Sequence, residues 1–365
     1  MRRADWPATL VFLLQRLLLV VAAAATGFDP FKAATWTRWD SGHYLEIANH
    51  GYTPLVHCAP ETHYPASAWC GTAGWFPGYP LLLRALGGSP VAALLLGAAC
   101  QWACLVLIGR LLGRRHWPAL LLAAFFPGNV YLAAVFPTAV VALAIVSCLV
   151  LCLAGRSGGA AVAALVAAAC SPVGVLLAPV VAAWALLHRR FRALLVSAGA
   201  LLGYAAALAF LHQQVGRWDA YYLVQAKYGY RLGLPFDSLF ARLKPIVNRR
   251  YRSFLTFTTG LQTLLSLVLV GAALLLEPRL AREAGPDGSG AGRERASLVL
   301  LCVAAFWLAP LLLGGSLSLY RSEALLLPAA LLVPAFPRPL QWALAFAAIA
   351  LSAPMAVLFL RGSLV

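Results

Sequence analysis

Apolar runs of about twenty residues, enough to cross a bilayer as helix, recur along this 365-residue chain, with short polar or basic turns between them. The pattern predicts spanning helices over 8–26, 90–108, 118–135, 138–153, 193–211, 254–276, 297–313 and 342–360, with a further one ending near 337–338. Two shorter runs, 160–170 and 173–187, meet at Ser171-Pro172. Neither spans straightforwardly, and they read as a broken pair dipping to an external site. The expectation is an all-α polytopic membrane protein with about eleven transmembrane helices. It forms a single domain, 1–365, because no segment is long and polar enough to fold separately in water.

Charge placement orients the chain. Arg2 and Arg3, the cluster around Arg110, Arg156, and His188-Arg189-Arg190-Phe191-Arg192 mark turns on the cytoplasmic side. The loop 27–74 is then external and the charged, Gly-rich loop 277–296 cytoplasmic. The segment 213–252 is also external, yet it is basic and aromatic and breaks the positive-inside trend. The first segment lacks a convincing cleavage site and reads as a retained helix. Arg16, inside it, either faces the bundle or snorkels.

Composition agrees with a membrane protein. The chain is 62% hydrophobic and 11% charged, with a mean hydropathy of +0.81; soluble domains carry about 25% charged residues. The net charge of +16 does not indicate nucleic acid, since the basic residues sit in clusters between apolar runs and not on one face. Cys100, Cys104, Cys148, Cys152, Cys170 and Cys302 lie in apolar runs and read as packing residues. Cys58 and Cys70 share the first polar loop, where an oxidising compartment permits a disulfide. With His57 and His63 they could instead hold zinc, but their spacing fits no zinc motif. No metal site or cofactor is therefore assigned.

The densest polar patch runs from Arg38 to Tyr52, directly after the first apolar run. From Asp40 to Ala48 it reads as a short amphipathic helix at the membrane surface. Tyr44, Ile47 and Ala48 fall on one face, and Asp40, His43 and Glu46 rise along another. Asp40 or Ser41 suits the N-cap and Gly51 the helix end. From position alone Asp40 is equally a cap and a general base, since partial desolvation beside a membrane raises a carboxylate's proton affinity.

Arg38-Trp39-Asp40, His43-Tyr44, Ile47-Ala48 and Gly51-Tyr52 together resemble the first-loop signature of PIG-V-type mannosyltransferases. Those belong to the GT-C group of integral-membrane glycosyltransferases. A second element, Trp75-Phe76-Pro77-Gly78-Tyr79-Pro80-Leu81, is similar to that family's next motif. A looser third runs from Phe126-Pro127-Gly128-Asn129 through Ser171-Pro172-Val173-Gly174 to Pro179. Two departures stand out. The turn that often carries an acidic residue reads Phe136-Pro137-Thr138, and the stretch at Cys170-Ser171 lacks the family's basic residue.

The resemblance implies a GT-C-like bundle in the cell membrane, with its active site on the external face. A hexose, in this family mannose, would pass from a polyprenyl-phosphate carrier to a lipid, glycan or protein acceptor. Asp40 would be the catalytic base. The phosphate leaves without protonation, so one carboxylate suffices, unlike the pair a typical glycosidase needs. The substrate-binding candidates are Arg38, His43, Glu46, Tyr52, Arg231, Arg249, Arg250 and Arg321. His43 and Glu46 either support Asp40, bind sugar hydroxyls or form a solvated face. Tyr52 is a platform or an interface anchor. The arginines meet the donor phosphate or anionic lipid headgroups, and Arg321 has an ion pair as its other reading. A divalent ion assisting phosphate departure stays open.

Two rival readings remain. One is a lipid or solute transporter or flippase, whose mark would be ionisable residues at mid-helix; Arg16 is nearly the only such residue in the predicted spans. The other is a catalytically degenerate family member acting as a membrane assembly partner.

Overall fold

The computed structural model describes residues 5–59, 64–113, 116–229, 232–276, 291–314 and 319–364. The described residues are mostly helical. The elements are α1 (Trp6–Ala25), α2 (Ser41–His50), β1 (Val56–His57), β2 (Trp69–Cys70), α3 (Gly78–Ala85), α4 (Pro90–Leu112), α5 (Trp117–Phe125) and α6 (Val130–Ala133). There follow α7 (Thr138–Leu153), α8 (Ser157–Cys170), α9 (Leu177–Leu187), α10 (Leu194–Val215), α11 (Ala220–Ala226) and α12 (Pro235–Val247). The last are α13 (Phe254–Leu275), α14 (Ala291–Leu312), α15 (Leu319–Glu323) and α16 (Arg338–Leu360).

Six helices among the described residues are long and apolar enough to cross a membrane: α1, α4, α10 with its preceding turn, α13, α14 and α16. A seventh crossing exists if the pair Pro127–Ala133 and Thr138–Leu153, bent by 106°, counts as one. Their outer surfaces fit lipid. On α1, Leu10, Leu13, Leu14, Leu17 and Val21 are exposed at helical spacing, while Val11, Gln15, Leu19 and Ala22 face inward. Water would not tolerate such a stripe. Arg16 turns inward and donates to Gln101 of α4.

Several elements sit where the apolar pattern places them, and α7 matches the predicted 138–153 run. The pair around Ser171 is broken there, with α8 ending at Cys170 and a 3-10 turn, Pro172–Leu176, leading into α9. Two long predicted helices are broken instead. The 118–135 run ends as helix at Phe125, because Pro127 has no N–H to donate. Buried Asn129 donates to the carbonyls of Ala123 and Ala124, replacing the bonds a continuing helix would make. The run ending near 337 is the short α15 followed by 3-10 segments, Ala324–Leu331 and Val333–Ala335. Pro328 and Pro334 interrupt any α-helical ladder there.

Small residues allow tight packing inside the bundle. Gly199 and Gly203 of α10 lie directly on the backbone of α8: a Cβ at either would stand 2.4 Å from Ala161 O or 2.3 Å from Leu165 O. This spacing of four residues is the small-residue seam that membrane helices use where side chains cannot fit. Asp5 clamps Arg110 bidentately, at 2.9 and 3.0 Å, fixing the start of α1 to the end of α4.

Candidate functional site

The polar patch folds as expected on one face. Tyr44, Ile47 and Ala48 of α2 are buried. Arg84 of α3 donates to Ala48 O at 2.7 Å and Ile47 O at 3.2 Å, satisfying carbonyls at the helix end. Asp40 stands at the N-cap position, but its side chain makes no capping bond. The residue is already helical there (φ −59, ψ −14), not in the extended conformation from which an N-cap side chain reaches the first helix N–H groups. Trp39 before it takes a left-handed conformation, φ 51.

That carboxylate is committed elsewhere. Arg321 of α15 donates from Nη1 to Asp40 Oδ2, with the two side chains 20% and 25% exposed. The guanidinium lies over two rings, 5.2 Å from Tyr131 and 4.8 Å from Phe136. Tyr131 packs edge-on against Phe136 at 5.2 Å and stacks with Tyr320 at 6.1 Å. An aromatic wall thus fixes the direction of Arg321 and excludes water from one side of the pair. The turn of α15 fits against this wall because residue 128 is glycine: a Cβ at Gly128 would meet Tyr320 O at 2.5 Å.

His43 completes the near side. Its ring stacks on Trp75 with centroids 3.8 Å apart, and its Nδ1 stands 3.9 Å from Glu46. Burial lowers the proton affinity of His43 below the ordinary histidine range; Asp40 and Glu46 oppose this, and Lys227 reinforces it. The imidazole is therefore neutral at pH 7. Lys227, at the end of α11, is near enough to interact electrostatically with both Asp40 and His43. Burial lowers its own proton affinity, against the pull of Asp40. The ammonium also lies 4.9 Å from the Tyr64 ring and 3.8 Å from Cys70 Sγ.

One acid, two cations and a neutral imidazole thus gather from the N-terminal end of α2, the residue after α11, and α15. Such a set can accept a proton from a hydroxyl, orient that hydroxyl, and hold an anion nearby.

The other candidates are more dispersed. Tyr52 donates its hydroxyl to Trp75 O at 2.8 Å and packs on Phe210, which gives it a structural task. Arg38 lies over Phe28 at 4.8 Å. Arg249 and Arg250 sit on the exposed turn Arg249–Tyr251, and neither makes an ion pair among the described residues. Arg231 and His63 lie outside the described residues. Cys58 and Cys70 form a disulfide, with Cα atoms 5.0 Å apart, across the short β1–β2 ladder. The His57 ring lies tilted against Trp69, with centroids 4.2 Å apart. No group of three or more His, Cys, Asp or Glu side chains among the described residues could hold a metal ion.

Sequence reasoning did not single out Lys227, Tyr131 or Gln262. Lys227 had a signal, as a cation among the tyrosines of the 213–252 segment. Tyr131 and Gln262 had none, being single residues in apolar runs. No protein-family model matches the chain, and no curated protein matches it in sequence.

Proposed function

We propose that this chain is a membrane glycosyltransferase that moves a hexose from a polyprenyl-phosphate carrier to an acceptor hydroxyl, on the external face. The observation that carries this reading is the convergence of Arg321, Lys227 and His43 on an Asp40 carboxylate that takes no part in helix capping. Arg321 engages Oδ2 and leaves Oδ1 for a hydroxyl proton. Neutral His43 supplies a hydrogen-bonding ring beside it. Arg321 and Lys227 supply positive charge for a phosphate that departs as an anion. Mannose as the sugar, and the bundle type, follow from the sequence resemblance alone.

The test is transfer by purified protein from labelled polyprenyl-phosphate mannose to a lipid extract. Label in a new product, lost in Asp40→Asn, supports the proposal. No product with any polyprenyl-phosphate hexose, from protein that is folded by thermal melt, counts against it.

One observation favours the transporter reading. Thr258, Thr259, Gln262, Thr263 and Ser266 form a buried polar stripe on α13, a spanning helix. Flux of polar solute or lipid through proteoliposomes, with no covalent product, would establish that reading.

A further inference from the structure

The polar stripe of α13 meets α15 at a carboxyl group that the proposed chemistry does not use. Glu323 is 2% exposed and Gln262 fully buried. Gln262 Nε2 donates twice, to Tyr320 O at 2.9 Å and to Glu323 Oε2 at 2.8 Å. These two bonds fix the amide's orientation, because a flipped amide would set its oxygen against two acceptors. Gln262 Oε1, Glu323 Oε1 and the Ser266 hydroxyl are then buried with no partner at hydrogen-bond distance, although Ser266 and Thr263 lie near enough to Glu323 to favour its charged form. An ionised carboxylate and an amide oxygen can only accept, so neither can satisfy the other. One proton removes the conflict.

We infer that Glu323 carries a proton and donates it to Gln262 Oε1, closing a two-bond acid–amide ring that positions Arg321 beside Asp40. Glu323 lies outside the six spanning helices. Burial pushes its carboxyl up, to about 7, with Gln262, Ser266, Arg242 and Thr263 pulling the other way. Among the described residues, Arg242 of α12 is the charged side chain of another element that acts on it; its guanidinium stands 5.8 Å from the Tyr320 ring. Arg321 belongs to the same turn as Glu323 and is directed to Asp40. α13 contributes only neutral groups, Gln262, Thr263 and Ser266.

The ring's mechanical effect follows from its position. Gln262 grips the turn of α15 at Tyr320 and Glu323, on either side of Arg321. When the proton leaves, two acceptors face each other and the grip at Glu323 weakens. Arg321 loses its fixed direction, and the Asp40 pair loosens. Glu323 is thus a positioning residue acting through Arg321, sensitive to pH near neutrality.

The kinetic part rests on the proposed role of Asp40; the proton itself does not, so it is read separately. The decisive variant is Glu323→Gln, whose amide makes the same two bonds with no titratable group. In detergent, the stabilisation that Glu323 gives should be full below about pH 4.5 and be lost as pH rises through about 7, since the folded state alone keeps the proton in that window; the wild-type melting temperature should fall relative to that of Glu323→Gln across it. Glu323→Gln should melt as high as wild type at pH 5 and lose this decline. Its infrared spectrum at pH 6 should lack a protonated-carboxyl band that wild type shows. Glu323→Ala should melt low at every pH. If transfer activity exists, Glu323→Gln should remove its loss between pH 7 and 8.5. An equal decline in Glu323→Gln and wild type, or no protonated-carboxyl band assignable to residue 323, overturns the inference, whatever the protein catalyses.

Discussion

Arg321 holds Asp40 across 281 residues of sequence, joining the first loop to α15 in one ion pair. The pair is largely buried, so removing either partner strands the other. Asp40→Asn retains hydrogen-bonding shape and costs no capping bond, since none exists. Its transfer rate should drop about 10²–10⁴-fold, the usual contribution of a general base. Arg321→Ala should cost about 1–3 kcal/mol of stability by leaving a buried acceptor unpaired, and should raise the donor concentration needed for half-maximal rate. Initial rates against donor concentration, with a thermal melt of each variant, check both. Turnover near wild type in folded Asp40→Asn would remove Asp40 from the chemistry.

His43 should impose an acid limb on stability. Burial disfavours its charged form, so its proton affinity is lower folded than unfolded. The unfolded chain binds the proton first, from about pH 6.5 downward. The stabilisation is therefore complete above that value and is lost as pH falls through the folded titration. His43→Gln should flatten the melting curve between pH 6.5 and 5. A wild-type curve unchanged by that substitution would show that His43 titrates as an ordinary surface histidine.

The Cys58–Cys70 disulfide joins residues twelve apart and locks the β1–β2 ladder beside Lys227. The chain-entropy scale assigns about 3 kcal/mol to a loop of this size. Reduction, or Cys58→Ser, should lower the melting temperature and loosen the anchorage of Lys227. Intact mass after alkylation without reductant should show two thiols protected. Two alkylated thiols at these positions, in protein from an oxidising compartment, would rule the bridge out.

Orientation can be tested with single exposed cysteines. Phe31 follows α1 and Arg192 lies in the basic turn before α10; both are exposed. Phe31→Cys should react with an impermeant maleimide from outside intact cells, and Arg192→Cys only after lysis. The six free cysteines are buried, which favours a low background. Labelling of both from the same side would defeat the external placement of the Asp40 site.

Much of the fold was legible because lipid demands long apolar runs, and α1, α4, α7, α10 and α13 follow them closely. The breaks at Phe126 and after Glu323 were not, since hydropathy is blind to a missing N–H at Pro127 or to Asn129 bonding back to α5. α2 was legible from the spacing of Tyr44, Ile47 and Ala48. The duty of Asp40 was not. A cap is a local rule, and here a distant guanidinium outcompetes it. Lys227 and Arg321 reach Asp40 only through the packing of α11 and α15, and residues that far apart leave no periodic trace in the sequence.

The polar stripe of α13 has a consequence for how the chain enters the bilayer. Of the six spanning helices α13 is the least apolar. Alone in lipid, its threonines could turn back on their own helix, as Thr259 does toward Leu255 O at 2.9 Å. Gln262 has no such recourse, because its side-chain partners are Tyr320 and Glu323, some sixty residues later in synthesis. α13 is therefore the span least able to settle as it is made. It should linger at the insertion machinery until α15 arrives, so the last third of the chain should integrate as one cooperative block.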